Sequence, residues 1–201
     1  EPWASWGQMI PRYFDTDIVV ANHAESGLAL SSFLSSNRLE KILSVAKPGD
    51  YLFIEFGHND QKETGEKAGA YNGYSERLKY FVTQFRAIGG IPIIVTSTAR
   101  RSFDASGNLN YTLGDYPEAA RKVAQELNVP LIDLNKMTRE FYTALGVENS
   151  KRAFVHYPAN TFLDQPQPLQ DNTHFNTYGA GQIAKMILSE QLISFIQRKT
   201  Q

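Results

Sequence analysis

Short apolar runs rich in β-branched residues alternate with longer amphipathic stretches along this chain. Asp17 to Ala21 (DIVVA), Tyr51 to Phe56 (YLFIEF), Ile91 to Thr96 (IPIIVT) and Pro130 to Leu134 (PLIDL) have strand length and little polar alternation, which predicts buried strands. Between and after them, apolar residues recur at intervals of three and four. That spacing predicts helices at about Ser31–Val45, Tyr74–Ile88 and Asp115–Leu127, and a last helix over about Thr177–Ile196. Alternation of this kind predicts an α/β fold with a parallel sheet covered on both faces, whose working groups sit at the carboxyl ends of the strands. Polar clusters stand where that rule puts them. Asn22-His23-Ala24-Glu25-Ser26-Gly27 follows the first run, Gly57-His58-Asn59-Asp60 the second and Ser97-Thr98-Ala99-Arg100-Arg101 the third. Lys151 to Gln170, with Pro158, Pro166 and Pro168, reads as a surface loop beside the site.

Composition narrows the function. The 201 residues, 42% hydrophobic and 20% charged, suit one globular domain over 1–201. Twenty basic and 21 acidic side chains leave a formal charge of −1, so there is no electrostatic footprint for nucleic acid or an anionic membrane. Without cysteine there is no thiolate nucleophile, disulfide framework or thiolate metal site. The histidines His23, His58, His156 and His174 show no compact metal spacing, and Gly89-Gly90 precedes a strand instead of opening a helix, so neither metal nor cofactor is expected. No apolar run has membrane-spanning length. Glu1-Pro2-Trp3 lacks the pattern of a targeting leader, which a processed secreted chain would have lost.

The chemistry concentrates at Asp171-Asn172-Thr173-His174, a carboxylate three residues before an imidazole just ahead of the last helix. An acid that fixes the tautomer of one ring nitrogen lets the other take a proton from a nucleophile. The same residues also read as a helix cap with a surface histidine. Two donors for a developing oxyanion are suggested elsewhere: the Asn59 side-chain amide beyond Gly57, and the backbone N–H of Gly27 in a small-residue turn. Each also reads as an ordinary cap or turn residue. Arg100 and Arg101 suit uronate carboxylates or an internal ion pair. His156 and Tyr157 suit a cleft lining or a loop anchor, and Trp3 and Trp6, at helical spacing, suit packing better than a sugar platform.

Taken together, Pro2-Trp3-Ala4-Ser5-Trp6-Gly7-Gln8, Asn22-His23-Ala24-Glu25-Ser26-Gly27, Phe56-Gly57-His58-Asn59-Asp60, Thr96-Ser97-Thr98-Ala99-Arg100-Arg101 and Asp171-Asn172-Thr173-His174-Phe175 resemble the rhamnogalacturonan acetylesterase branch of the SGNH, or GDSL, hydrolase superfamily. The resemblance implies a three-layer α/β/α flavodoxin-like fold. It implies deacetylation of a plant cell-wall polysaccharide, of rhamnogalacturonan, pectin or xylan type, through an acyl-serine intermediate. His174 would be the base, Asp171 its orienter, and Gly27 and Asn59 oxyanion donors. Arg100, His156 and Tyr157 would contact an acetylated poly- or oligosaccharide. The resemblance further implies a secreted or periplasmic protein with no cofactor, nucleic-acid or membrane partner.

The chain departs from the family in one block. The Gly-Asp-Ser motif that should precede Pro2-Trp3-Ala4-Ser5-Trp6 is absent from the 201 residues, and with it the nucleophile and a central first strand. Ser5 matches a residue the family has in addition to its nucleophile, while Ser26, Ser31 and Ser32 read as cap or surface serines. Leu28-Ala29 stands where relatives often carry Arg and Ser. Three readings follow: a chain whose first strand is cleaved or lies outside these residues, a homo-oligomer whose second copy covers the gap, or a natural truncation with a rearranged sheet. The alternative function is a pseudoenzyme or carbohydrate-binding protein that has lost its nucleophile.

Overall fold

The computed structural model describes residues 2–15 and 17–188. Its elements are α1 (Trp6–Met9), α2 (Leu30–Ser35), α3 (Arg38–Val45), β1 (Tyr51–Phe56), α4 (Ser75–Ala87), β2 (Ile91–Thr96), α5 (Tyr116–Glu126), β3 (Leu131–Ile132), α6 (Leu134–Asn149), β4 (Phe154–Tyr157), β5 (Leu169–Phe175) and α7 (Thr177–Ile187). Short 3-10 turns occupy Ile10–Tyr13, Asp60–Lys62 and Ser150–Ala153. The chain divides into two compact units, one formed by residues 23–98 and 111–136, the other by the described parts of 1–22, 99–110 and 137–201.

In the first unit the strands form a parallel sheet in the order β1-β2-β3, with Tyr51 opposite Ile91, Phe56 opposite Thr96 and Ile94 opposite Leu131. The central strand β2 is buried almost throughout, as its unbroken apolar run requires. Leu78, Phe81, Val82 and Phe85 recur at intervals of three and four on α4 and bury one stripe of that helix. Phe81, Phe33 and Phe56 meet as rings with centroids 5.4 to 5.8 Å apart, at the middle of a core that also takes Ile94, Ala120 and Val123. Pro117 sits in the first turn of α5, where a missing N–H costs nothing.

The second unit packs α7 on the β4–β5 pair. Ala180, Ile183, Ala184 and Ile187 form the buried stripe of α7, and Phe154 meets Tyr142 edge-on and Phe175 at a tilt, each with ring centroids 5.1 Å apart. Asn176 caps α7: its Oδ1 accepts the Gly179 N–H at 2.9 Å while its Nδ2 donates to the Arg152 and Phe154 carbonyls.

Several sequence expectations are corrected. Asp17 to Ala21 is not a strand: Val19 is 89% exposed and Ile18 donates its N–H locally to the Asp15 carbonyl. An apolar run becomes a strand only where another strand offers its backbone, and none of the described strands pairs with it. Ser31–Val45 is two helices, because Asn37 adopts a left-handed conformation at φ 56° between α2 and α3. The strand expected at Pro130–Leu134 shrinks to two residues, since Asp133 turns to accept from Thr96 and Arg121 and Leu134 opens α6. Helix α6 follows at once, over residues that none of the apolar patterns marks as helical. Lys151–Gln170 contains β4, Trp3 precedes α1 and is 54% exposed, and Asp171–His174 lies within β5 and leaves capping to Asn176. The last helix is seen to Ile187, and the rest of that expectation lies outside the described residues.

Candidate active site

Strands β4 and β5 run antiparallel, but their register breaks. Phe154 faces Phe175 and His156 faces Gln170, so β4 advances two residues where β5 advances five. The three additional residues make a wide bulge in β5 that holds Asp171, Asn172, Thr173 and His174 opposite Val155. Bulges re-aim side chains at the expense of ladder bonds. Here Asp171 replaces some of those bonds itself: its Oδ1 accepts the backbone N–H of Thr173 at 2.7 Å and of His174 at 2.9 Å. Its Oδ2 lies 2.6 Å from His174 Nδ1. Partial burial pushes the Asp171 carboxyl up, but the two backbone N–H bonds and the imidazole together outweigh it and hold the group below the usual carboxylate range. An ionised Asp171 makes Nδ1 the protonated nitrogen. That leaves Nε2 of His174, whose side chain is 55% exposed, as the basic nitrogen.

Asn172, inside the bulge, is held from two sides. Its Oδ1 accepts Arg101 Nη1 at 2.7 Å and His156 Nε2 at 2.8 Å, and its carbonyl accepts the Arg101 backbone N–H at 2.9 Å. Arg101 is buried, at 7% exposed, and its other donors reach Ser150 Oγ at 2.9 Å and the Val147 carbonyl. Arg101 is therefore framework, not the uronate ligand that its pairing with Arg100 suggested. Arg100 is half-buried, and desolvation lowers its guanidinium pKa. Tyr157 packs edge-on against Phe162 at 4.9 Å.

In the other unit lie the two expected oxyanion donors. Gly27 turns at φ +85°, a conformation that favours glycine, and an added Cβ there would meet nothing within 4 Å. Asn59, just past β1, donates from Nδ2 to the Leu28 carbonyl at 3.3 Å, one residue from Gly27, and accepts Lys62 Nζ on Oδ1 at 2.8 Å. An amide nitrogen carries two protons, so one bond to Leu28 leaves a second N–H for a ligand oxygen. Next to it, Asp60 is 1% exposed, takes the Leu30 N–H on Oδ1 at 2.9 Å and has no hydrogen-bond partner for Oδ2 among the described residues. Burial raises its pKa, with Glu63 adding to the rise and backbone N–H bonds opposing it. Ser31 bonds Glu63, Ser32 bonds the backbone of Ala29 and Ser97 bonds the Phe56 carbonyl, so each of these hydroxyls serves local structure.

Asp171, His174, Asn59 and Gly27 are candidates from the sequence alone, whereas the bonds between Arg101 and Asn172 are not visible there. A break in strand register has no sequence signature. Asn176 before Thr177 was legible as a cap, and the Asp171–His174 pair obscured it.

Residues 1–181 match the model of the GDSL-like Lipase/Acylhydrolase family. The chain is 42% identical over 186 residues to the rhamnogalacturonan acetylesterase RhgT of Bacillus subtilis (strain 168), covering 92% of this chain and 79% of that protein. It is 33% identical over 184 residues to the probable rhamnogalacturonan acetylesterase YesY of the same organism, covering 90% and 80%. Among solved structures, the crystal structure of Bacillus subtilis YxiM superposes with a TM-score of 0.80 at 28% identity, covering 97% of this chain and 51% of that one. The chain thus spans about half the length of YxiM.

Proposed function

This chain belongs to the GDSL-like lipase/acylhydrolase family, and on that premise we propose that it is a serine carbohydrate esterase that removes acetyl groups from rhamnogalacturonan-type plant polysaccharide. The observation that carries the reading is the 2.6 Å contact between Asp171 Oδ2 and His174 Nδ1 inside a strand bulge, with the imidazole more than half exposed. A tautomer fixed in this way suits acyl transfer.

In this reading a serine hydroxyl attacks the acetyl carbonyl carbon and passes its proton to His174 Nε2. The tetrahedral oxyanion takes hydrogen bonds from the Gly27 backbone N–H and the second Asn59 amide proton. Collapse breaks the ester C–O bond, and the departing sugar oxygen takes the proton from His174. Water then attacks the acyl-serine with His174 again as base, releasing acetate and restoring the serine. No Gly-Asp-Ser triplet occurs in residues 1–201, and the nucleophile is proposed to be a serine outside them. Arg100, His156 and Tyr157 are proposed to border the sugar, Arg100 facing a uronate. The two compact units are read as one hydrolase domain, since the family match runs through the residues of both. A polysaccharide substrate suits a secreted or periplasmic protein, and that location is part of the proposal. Acetate release from acetylated rhamnogalacturonan, compared between the unmodified protein and His174→Ala, tests the proposal; equal release by both would refute it.

A further inference from the structure

The bulge that carries Asp171 and His174 has lost the ladder bonds that would hold a regular strand, and Asp171 replaces only those at Thr173 and His174. Asn172, the residue between, is held instead by Arg101, which grips it twice. The Arg101 backbone N–H bonds the Asn172 carbonyl at 2.9 Å, and Nη1 bonds Asn172 Oδ1 at 2.7 Å. The rest of the guanidinium is anchored behind, on Ser150 Oγ at 2.9 Å and the Val147 carbonyl. The same Asn172 oxygen accepts His156 Nε2 from β4 at 2.8 Å, so a single side-chain oxygen ties the bulge both to the 99–110 segment and to the neighbouring strand.

The chemistry of this arrangement is hard to explain as packing. Arg101 is 7% exposed, and its side-chain bonds to Ser150 Oγ, Asn172 Oδ1 and the Val147 carbonyl go to neutral oxygens, with Glu148 acting on it only through space. Burying a guanidinium costs desolvation that neutral acceptors only partly return, and an apolar side chain of similar volume would fill the space more cheaply. What an apolar residue could not do is reach three acceptors at once in a fixed planar fork. One acceptor, Asn172 Oδ1, lies in the short stretch that sets the distance between a carboxylate and an imidazole, and the other two anchor the guanidinium behind it.

We propose that Arg101, acting through Asn172, is a positioning residue for the Asp171–His174 pair: it substitutes for the missing ladder of the β5 bulge and fixes the geometry on which proton transfer depends. The role in catalysis rests on the esterase reading, whereas the bracing of the Asp171–His174 contact does not. Misplacing a catalytic group by about 1 Å costs up to about a hundredfold in rate. In the natural full-length protein, Arg101→Lys and Asn172→Ala are expected to lower kcat for acetyl release about tenfold to a hundredfold with KM within about twofold. Lysine keeps the charge but not the fork, and Asn172→Ala removes the carboxamide with its shared oxygen from an exposed position, so this second variant decides the matter where the arginine change prevents folding.

A proton NMR measurement separates the two readings. The unmodified protein is expected to show a low-field resonance for the Nδ1 proton of His174 bonded to Asp171, absent in His174→Ala, and broadened or shifted upfield in Arg101→Lys and Asn172→Ala while their circular dichroism stays that of the parent. An unmodified protein without esterase activity would remove the functional reading and leave the NMR comparison to test the clamp. An unchanged low-field resonance with unchanged kcat in both variants would overturn it.

Discussion

Replacing Asp171 by Asn separates the two things that residue does. The asparagine oxygen can still accept the Thr173 and His174 backbone N–H groups that Asp171 Oδ1 takes at 2.7 and 2.9 Å, so the bulge is expected to survive. The position of Oδ2, 2.6 Å from His174 Nδ1, is then occupied by an NH₂ group, which can only donate. Nδ1 must become the acceptor, the proton moves to Nε2, and the imidazole loses the lone pair that would take the serine proton. The alternative orientation of the amide restores an acceptor to Nδ1 but presents donors to two backbone N–H groups, which is worse. A wrong tautomer of this kind lowers kcat by about ten-thousandfold in triad hydrolases. At about 1.36 kcal/mol per decade that is roughly 5.4 kcal/mol of transition-state stabilisation. Steady-state acetate release at neutral pH should therefore show kcat down by about three to four decades with KM little changed, in a protein whose thermal midpoint moves only a few degrees. A kcat within tenfold of the parent would refute the assignment of Asp171 as orienter.

Other expectations follow from the same geometry. Asn59→Ala removes the side-chain oxyanion donor and should cost about a hundredfold to a thousandfold in kcat with little change in KM, measured on the same substrate. Gly179→Ala would place a Cβ 1.9 Å from the Ala153 carbonyl oxygen, a backbone atom that no rotamer change can move. The expected loss is about 3 kcal/mol or more, or at least about 6 °C in the calorimetric midpoint. Asp60 has a raised pKa because it is buried, so the folded state holds its proton more tightly than the unfolded chain does. Its contribution to stability is complete below the ordinary carboxylate value and is lost as pH rises through the higher folded value. Denaturant unfolding at about pH 4 and about pH 7 should show the parent losing stability relative to Asp60→Asn as pH rises; a constant difference would contradict the burial of an unpaired Asp60 oxygen.

How far the sequence could be read depended on whether a feature was local. The buried stripe of α4 and the unbroken apolar run of β2 declare themselves through spacing, and both form where the pattern puts them. Asp17 to Ala21 has the composition of a strand and is not one, because pairing is decided by a distant partner and not by the run itself. Asn37 and Asp133 each end an element through a single backbone or side-chain preference that the surrounding apolar pattern masks. At the site, the three-residue interval from Asp171 to His174 was visible, as were Asn59 and Gly27 at the ends of apolar runs. That Arg101 belongs to the framework was not, since two adjacent arginines differ only in what lies around them. The β5 bulge likewise exists only as a relation between two strands.

The most direct test of the proposed chemistry is to treat the natural full-length protein and its His174→Ala variant with a serine-directed organophosphonate, and to follow acetate release from acetylated rhamnogalacturonan together with intact and peptide mass. The parent should take up one phosphonyl group on a single serine and lose turnover in proportion to labelling, while His174→Ala should label at least about a hundredfold more slowly and release little acetate. Undiminished turnover in the fully labelled parent, or in His174→Ala, would contradict a serine esterase driven by the Asp171–His174 pair.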